Sequence, residues 1–290
     1  MLTLAAVFGS MAALPPIIGM NDASRWSTAW AISIGQGYII DGTPWDTCDK
    51  VFRDGHYYSS KPAFMPGVVG LMLKGLTLNN HYPFEFYDGL FGLIILLILN
   101  VAPLLLLIYL YDRLLERWKV SPSVRLFCLV AAALGTYVTA YSTTLNNHTQ
   151  AAWATFFSLY CLMRILEDPD AGPIHFGACG LLASWAAINE NPAVAYLVIL
   201  AAVLLIKRPR QTLLYFMPML ALMAGGYFYT TWLSTGRFYP YSLNYDRDTY
   251  YVYPGTVWLN PRGIDAQNEP KLWYAFNLIL GHHGLLSLTP

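Results

Sequence analysis

The sequence predicts an all-α fold: a polytopic bundle of about seven transmembrane helices, with a long first extracytoplasmic loop that bears interfacial helices. Hydrophobic residues make up 56% of the 290 residues and charged residues only 12%, about half the share that is usual in soluble domains. Several uncharged runs reach the roughly 17–25 residues that a membrane helix needs. Basic residues are also distributed very unevenly among the short loops. Together these observations favour a chain that uses lipid as part of its solvent.

Five uncharged or nearly uncharged runs predict single spans. The first is Leu2–Met20, which lacks the basic start and clear cleavage site of a signal peptide. Gly89–Tyr111 is the strongest candidate and is rich in Leu and Ile. The others are Leu126–Leu145, Thr149–Leu166 and Thr212–Leu233.

A sixth apolar run, Ile174–Ile206, is too long for one span at about 1.5 Å per residue. Its middle carries three polar residues followed by Pro192. Proline interrupts the helical hydrogen-bond ladder, and the polar groups need water or partners. The run therefore predicts a tight hairpin of two short helices.

The loops give the orientation, because cytoplasmic loops are enriched in Lys and Arg. The loops Asn146–His148 and Asn189–Asn191 contain neither residue type. The alternate loops and span ends carry Arg113, Arg117, Lys119, Arg125, Arg164, Lys207, Arg208 and Arg210. We therefore expect a cytoplasmic N-terminus and an extracytoplasmic loop Asn21–Asp88, in which the short apolar run Phe64–Leu78 with its Lys74 predicts an interfacial helix.

This topology divides the chain into a membrane module, residues 1–233, and an extracytoplasmic aromatic-rich segment, residues 234–290. The segment ends at Pro290 without a closing element, so we expect it to begin a longer C-terminal region. A multi-pass protein of the bacterial inner or plasma membrane is the predicted localisation.

Most of the unusual polar residues fall on the predicted outer side, although segments far apart in sequence supply them. Ionisable residues at membrane depth are costly and are commonly functional. Each has a simpler explanation too: Asn21 or Asp22 could cap a helix with Arg25 as partner, and the asparagine-rich triplets could be plain turns. The set comprises Asp22, Arg25, Asp49, His56, Lys61, Asn146, Asn147, His148, Asn189, Glu190, Asn191, His282 and His283.

Other site classes find little support in the sequence. The formal net charge is zero, and no basic tract indicates nucleic acid. No set of ligands has metal-site spacing, so no metal site is predicted, and no cofactor is established; a divalent metal remains an open possibility. The four cysteines define no disulfide.

Two stretches carry a family resemblance. The segment Asn21-Asp22-Ala23-Ser24-Arg25-Trp26 resembles the acidic motif at the start of the first outer loop in the C-type glycosyltransferase superfamily. The segment Tyr57-Tyr58-Ser59-Ser60-Lys61-Pro62 is similar to that superfamily's aromatic-x-x-Lys-Pro-Pro motif. The likeness is to the protein O-mannosyltransferase and lipid A aminoarabinose transferase branch and covers residues 2–233. It departs at Ala23, where the family has a second acid, and at Ala63, where it has a second proline.

The resemblance implies a polyprenyl-phosphate sugar donor, a lipid, glycan or protein acceptor, and surrounding membrane lipids. Asp22 would be the general base for an inverting transfer, and the substitution at Ala23 removes the paired acid from that scheme. Arg25 and Lys61 would neutralise the carrier phosphate. Substrate-binding candidates are Tyr58, Asn147, His148 and Glu190.

Two other function classes remain as alternatives. One is a membrane transporter or lipid flippase, because helices broken near Asn189 are compatible with a substrate path. Against it, no inverted repeat is found in the sequence and the ionisable residues gather at one surface. A non-catalytic membrane scaffold would not need Asp22, Lys61 and Glu190 on the same face.

Overall fold

The structure is a computed structural model that describes residues 19–78, 80–243, 249–259 and 270–281. These residues are mostly helical, with one small antiparallel hairpin. The predicted span Leu2–Met20, apart from its last two residues, lies outside the described residues, as do His282 and His283.

The predicted outer loop is largely structured. It contains helix α1 (Met20–Ser33), strands β1 (Lys50–Arg53) and β2 (His56–Ser59), and helix α2 (Phe64–Thr77). Helix α2 matches the helix expected at Phe64–Leu78.

The all-α prediction was wrong at the hairpin, where Arg53 pairs with His56 across a two-residue turn. Both turn residues, Asp54 and Gly55, have positive φ, at 53° and 86°. An Asp-Gly pair favours this type of turn, because both positions must adopt left-handed backbone angles. The local signal for the hairpin was therefore present in the sequence.

Helices α1 and α2 pack closely against each other. A Cβ atom placed on Gly70 would lie 2.7 Å from the Cβ of Ile32, so only glycine permits this approach. Trp26 and Ala29 of α1 share a buried apolar cluster with Val69 and Leu73 of α2. The cluster also holds α2 against the helix that follows.

That next helix, α3 (Phe84–Arg117), has 34 residues and is long and apolar enough to cross a membrane. It contains the predicted span Gly89–Tyr111. Two π-helical turns interrupt it, Tyr87–Phe91 and Leu97–Val101. A π turn displaces the regular backbone bonds, and the carbonyl of Leu99 accepts the indole N–H of Trp153 at 2.9 Å.

The predicted span Leu126–Leu145 is not one straight helix. It forms α4 (Pro122–Leu134) and α5 (Tyr137–Thr143), which meet at a bend of 42°. Thr136, between them, has extended backbone angles and its side chain caps α5. The helix therefore restarts in a new direction.

The remaining long helices are α6 (Asn147–Glu167), α7 (Pro173–Asn189), α8 (Ala193–Lys207) and α9 (Pro209–Thr235). Helix α9 has 27 residues and is the second that could cross a membrane by length and composition. It contains the predicted span Thr212–Leu233. A short helix, α10 (Lys271–Ile279), comes last among the described residues.

The described residues thus hold two helices that could span a membrane, or three if α4 and α5 are taken as one bent span. Seven spans remain a prediction. Helices α7 and α8 have 17 and 15 residues, which at about 1.5 Å per residue gives less than the roughly 30 Å of a hydrocarbon core. Helix α6, the helix at predicted span Thr149–Leu166, is not uniformly apolar, because its buried face includes Gln150 and Ser158.

The predicted break in Ile174–Ile206 is confirmed, because α7 ends at Asn189 and α8 begins at Ala193. The two helices share a buried apolar cluster with Phe216 of α9. Gly180 of α7 lies against the α9 backbone, and a Cβ there would be 2.5 Å from the Phe216 carbonyl oxygen. Glycine therefore sets the distance between α7 and α9.

A layer that we call the hairpin cap consists of β1, β2, Tyr241 and residues 249–259. Arg53 anchors it: the guanidinium donates to the Ser234 carbonyl and the Tyr241 hydroxyl, both at 3.1 Å. The same group lies 4.4 Å above the ring centroid of Tyr58. The end of α9 and the hairpin are thus joined.

The glycine contact of α7 can be tested by substitution. Gly180→Ala should lower the free energy of unfolding by about 1–3 kcal/mol, because the new methyl group would overlap the backbone of α9. The measurement is thermal unfolding of the purified protein in detergent. Gly177→Ala is the matched control: its nearest neighbours would be 3.9 Å from the new Cβ, and alanine favours helix. Equal effects of the two substitutions would contradict the close-packing account.

Candidate functional site

Polar side chains from four separate segments meet beside the starts of α1 and α6 and the end of α7. We call this the charged cluster; its members are Asp22, Arg25, Asp49, Lys61, Asn147, His148 and Glu190. The N-terminal ends of two helices contribute partial positive charge here, which favours nearby carboxylates. The end of α7 contributes partial negative charge beside Glu190, so the full positive charges of Arg25 and Lys61 are needed to stabilise the carboxylates.

Arg25 is the buried centre of the cluster, with 5% of its surface exposed. It donates to the Asn147 side-chain oxygen at 2.5 Å and to the Asn21 carbonyl at 3.2 Å. Burial lowers the pKa of its guanidinium, while the carboxylates of Asp22, Asp49 and Glu190 act in the opposite direction. A guanidinium stays protonated in proteins, so the cluster has a permanent positive charge inside it.

Lys61 and Asp49 form an ion pair at 3.0 Å, with 22% and 8% of their side chains exposed. Burial is the main cause that lowers the pKa of Lys61, and the contact with Asp49 opposes it. Ser24 fixes the backbone around the pair, since its hydroxyl donates to the Asp49 carbonyl at 2.6 Å. The lysine is therefore held in place by α1 as well as by its acidic partner.

Glu190 receives two side chains from the start of α6. Asn147 donates to the Glu190 carboxylate at 2.5 Å and to the Asn189 carbonyl at 3.1 Å. His148 contacts the same carboxylate oxygen through its Nδ1 atom. The His148 side chain is 68% exposed and that of Glu190 is 27% exposed, so this pair forms the accessible edge of the cluster.

Asp22 is in the first turn of α1 and is buried. The N-cap position belongs to Gly19, and no side chain caps the helix there. Neither Asn21 nor Asp22 is therefore at the N-cap position. The other part of the simple explanation is present, because Asp22 is in the first turn and acts electrostatically on Arg25, three residues along the same helix.

Little free space lies inside the cluster. A cleft beside Arg25, Pro62 and Asn147 has a volume of about 10 Å³, which is enough for about one water molecule. A ligand larger than water must therefore contact the accessible edge of the cluster in this conformation.

The structure thus brings six of the seven sequence-predicted site residues together: Asp22, Arg25, Lys61, Asn147, His148 and Glu190. The seventh, Tyr58, is buried in the hairpin cap beneath Arg53. His56 is also elsewhere, since its Nδ1 atom lies 2.6 Å from Asp41. The chemical roles assigned to these residues remain predictions.

Asp49 is the member whose role was missed. Asp49 and Lys61 lie at the two open ends of the β1–β2 hairpin, where the Ser60 N–H donates to the Asp49 carbonyl at 3.1 Å. The pairing was missed because the hairpin itself was not predicted. Among the described residues, no group of three or more His, Cys, Asp or Glu side chains is arranged to hold a metal ion.

A second feature that the sequence did not indicate is an apolar cavity of about 510 Å³ between the end of α1, α2 and α9. Phe64, Gly67 and Leu71 of α2 line one wall, and Thr230 of α9 lines another. Tyr38 also lines the cavity. Burial raises the pKa of its hydroxyl to about 12, and a hydrogen bond with Thr230 opposes part of this increase. Helix α2 borders both spaces, because its Met65 lines the small cleft beside Arg25.

The Lys61–Asp49 pair predicts a measurable contribution to stability. Asp49→Asn should lower the unfolding temperature in detergent, because Lys61 would have to hold an unpaired charge or give up its proton in a largely buried position. For fully buried pairs this loss reaches about 3–5 kcal/mol, which sets an upper limit here. Asp46→Asn is the control: Asp46 pairs with Lys50 at 3.4 Å but is 97% exposed, and exposed pairs contribute little. An unchanged unfolding temperature in Asp49→Asn would contradict this account.

No protein-family model, curated protein or solved structure matches this chain.

Proposed function

We propose that the chain is a multi-pass glycosyltransferase of the bacterial inner or plasma membrane. It would move a sugar from a polyprenyl-phosphate donor to an acceptor hydroxyl on the extracytoplasmic side. The observation that supports this proposal is the charged cluster, which joins two cations to three carboxylates at the ends of apolar helices. A scaffold has no need for such a costly arrangement.

The proposed reaction needs a base for the acceptor and positive charge for the leaving group. Asp22 is buried in the conformation described, so the proposal includes an opening of the cluster that brings the acceptor to this carboxylate. Asp22 then takes the hydroxyl proton, the acceptor oxygen attacks the anomeric carbon, and the phosphate leaves with inversion at that carbon. Lys61 and Arg25 stabilise the charge that develops on the phosphate. Arg25 acts from inside the cluster, whereas Lys61 has an exposed edge that can contact the ligand.

The proposal assigns the lipid part of the donor to the apolar cavity. The apolar cavity between α2 and α9 has the volume that is usual for sites of drug-sized ligands. Its lining is mostly hydrocarbon and aromatic, which suits part of a prenyl chain. Helix α2 would then lie between the prenyl chain in the cavity and the phosphate at the charged cluster.

The opposite ends of the helices support the proposed orientation. Arg117 at the end of α3 pairs with Glu167 at the end of α6 at 2.7 Å, and Arg125 at the start of α4 pairs with Asp112. Arg117 and Arg125 belong to the basic residues that favour the cytoplasmic side. The charged cluster lies at the start of α6 and the Arg117–Glu167 pair lies at its end, so the two are at opposite ends of this helix.

Labelling of single cysteines tests this orientation. Cysteines at Asn80 and Phe238 should react with an impermeant maleimide in intact cells, since these residues flank the outer ends of α3 and α9. Cysteines at Ser121 and Gln211, next to the inner ends, should react only after permeabilisation. The four native cysteines are replaced first, and the cysteine-free protein is the control. External labelling at Ser121 or Gln211 would contradict the orientation.

The role of Asp22 as base gives the central test. Asp22→Asn should fold and bind donor, because asparagine is close in size and Arg25 keeps its contacts with Asn21 and Asn147. Since Asp22 is buried and acts on Arg25, the unfolding temperature of the variant should fall and is measured beside activity. Sugar transfer should fall about a hundred- to ten-thousand-fold, because the amide cannot accept the proton. The assay follows radiolabelled sugar from polyprenyl-phosphate mannose and polyprenyl-phosphate glucose to acceptors in a membrane extract.

Asp54→Asn is the matched control for this experiment. It makes the same charge change at an exposed turn residue with positive φ, which asparagine also tolerates. It should keep parental activity. If Asp22→Asn transfers sugar at the parental rate, Asp22 is not the base.

A transporter or lipid flippase is the alternative. The bend of 42° between α4 and α5 favours it, because broken helices are common in transporters. In proteoliposomes, a flippase would move the lipid-linked sugar between leaflets without cleaving it. Transfer of labelled sugar to an acceptor would instead support the enzyme.

A further inference from the structure

We infer that His148, oriented by Glu190, is a second catalytic residue that donates a proton to the departing carrier phosphate. This inference rests on the proposed function. It adds an acid to a reaction in which Asp22 is the base.

The first argument is the geometry of the pair. The Nδ1 atom of His148 contacts the Glu190 carboxylate. That carboxylate is fixed in turn by Asn147, whose side-chain oxygen accepts from the buried Arg25. A histidine held at Nδ1 by a carboxylate presents Nε2 to its surroundings. The imidazole is thus oriented by a chain of contacts that begins in the core.

The second argument is space. The cleft beside Arg25 holds about one water molecule, so a phosphate does not fit inside the cluster in this conformation. It contacts the accessible edge, where the side chain of His148 is 68% exposed and that of Glu190 is 27% exposed. Of the cluster side chains, His148 is the exposed one, and an imidazole can carry a proton on Nε2 while Nδ1 stays with a carboxylate.

The third argument is the local field. His148 is in the first turn of α6, a helix of 21 residues whose N-cap, Asn146, accepts from the Thr149 N–H at 2.8 Å. The start of such a helix favours anions. A phosphate near His148 would therefore be favoured by the helix end while it receives the proton.

The step balances in atoms and charge. The bond between the anomeric carbon and the phosphate oxygen breaks, and its electron pair stays on the phosphate oxygen. The imidazolium gives its Nε2 proton to that oxygen and keeps its Nδ1 proton towards Glu190. The acceptor oxygen forms the new bond to the anomeric carbon and gives its own proton to Asp22, and water later restores both groups.

The test uses the purified full chain with polyprenyl-phosphate mannose or glucose. His148→Ala should lower kcat about a hundredfold or more, the usual effect of losing an acid catalyst, with a smaller change in KM. Because the position is exposed, added imidazole should restore part of the activity of His148→Ala. Glu190→Gln should also lower kcat, and imidazole should not restore it.

Two controls separate catalysis from folding. His81→Ala, at an exposed loop position, should keep parental kcat and show no response to imidazole. Unfolding temperatures identify any variant that has lost its structure, and His148→Gln retains a polar side chain where alanine leaves a gap.

The outcomes separate the inference from the proposed function. A parental protein that transfers no sugar overturns the proposed function and the inference with it. An active parental protein with His148→Ala within twofold of its kcat overturns the inference alone. So does a folded, inactive His148→Ala that imidazole fails to restore, or a His148→Gln variant with parental kcat.

Discussion

Burial of the Arg25 guanidinium is the constraint on which the arrangement of the charged cluster depends. A guanidinium has five N–H donors and no acceptor, and leaving it buried without partners is prohibitively costly. On its own helix it donates to the Asn21 carbonyl and lies in the field of Asp22. From outside that helix it has an acceptor in Asn147, which is 122 residues away. The start of α6 must therefore stay beside α1 for the charge to remain buried.

The carboxylates complete this arrangement. Asp22, Asp49 and Glu190 come from three segments and all act on Arg25. Asp49 also pairs with Lys61, and Glu190 also accepts a hydrogen bond from Asn147. Loss of one member would leave another charge uncompensated, so the contributions of single residues will not add. Below the cluster, glycines let the helices approach closely: Gly70 between α1 and α2, and Gly180 between α7 and α9.

The parts of this structure that follow from local chemistry could be predicted. Pro192 and its polar neighbours gave the break between α7 and α8, and the apolar runs gave the cores of α3 and α9. The hairpin turn at Asp54-Gly55 had a local signal that was outweighed by the helical character of the chain. The loop charges placed Asp22, Lys61 and Glu190 on one side. They did not show that Lys61 pairs with Asp49, which follows from the register of the unpredicted hairpin. Nor could they show that Tyr58 turns away, because its contacts depend on how distant segments pack.

The hairpin cap has a consequence for the order of folding. Arg53 contacts Ser234 across 181 residues, Lys50 contacts Tyr253 across 203, and Cys48 contacts Trp258 across 210. A contact between distant residues must overcome the entropy of closing the whole intervening loop. The helices between them form from local contacts and shorten that loop as they assemble. The contacts of the hairpin cap therefore form after α3 to α9 have assembled. During synthesis the hairpin cannot complete these contacts until residues 249–259 have left the ribosome.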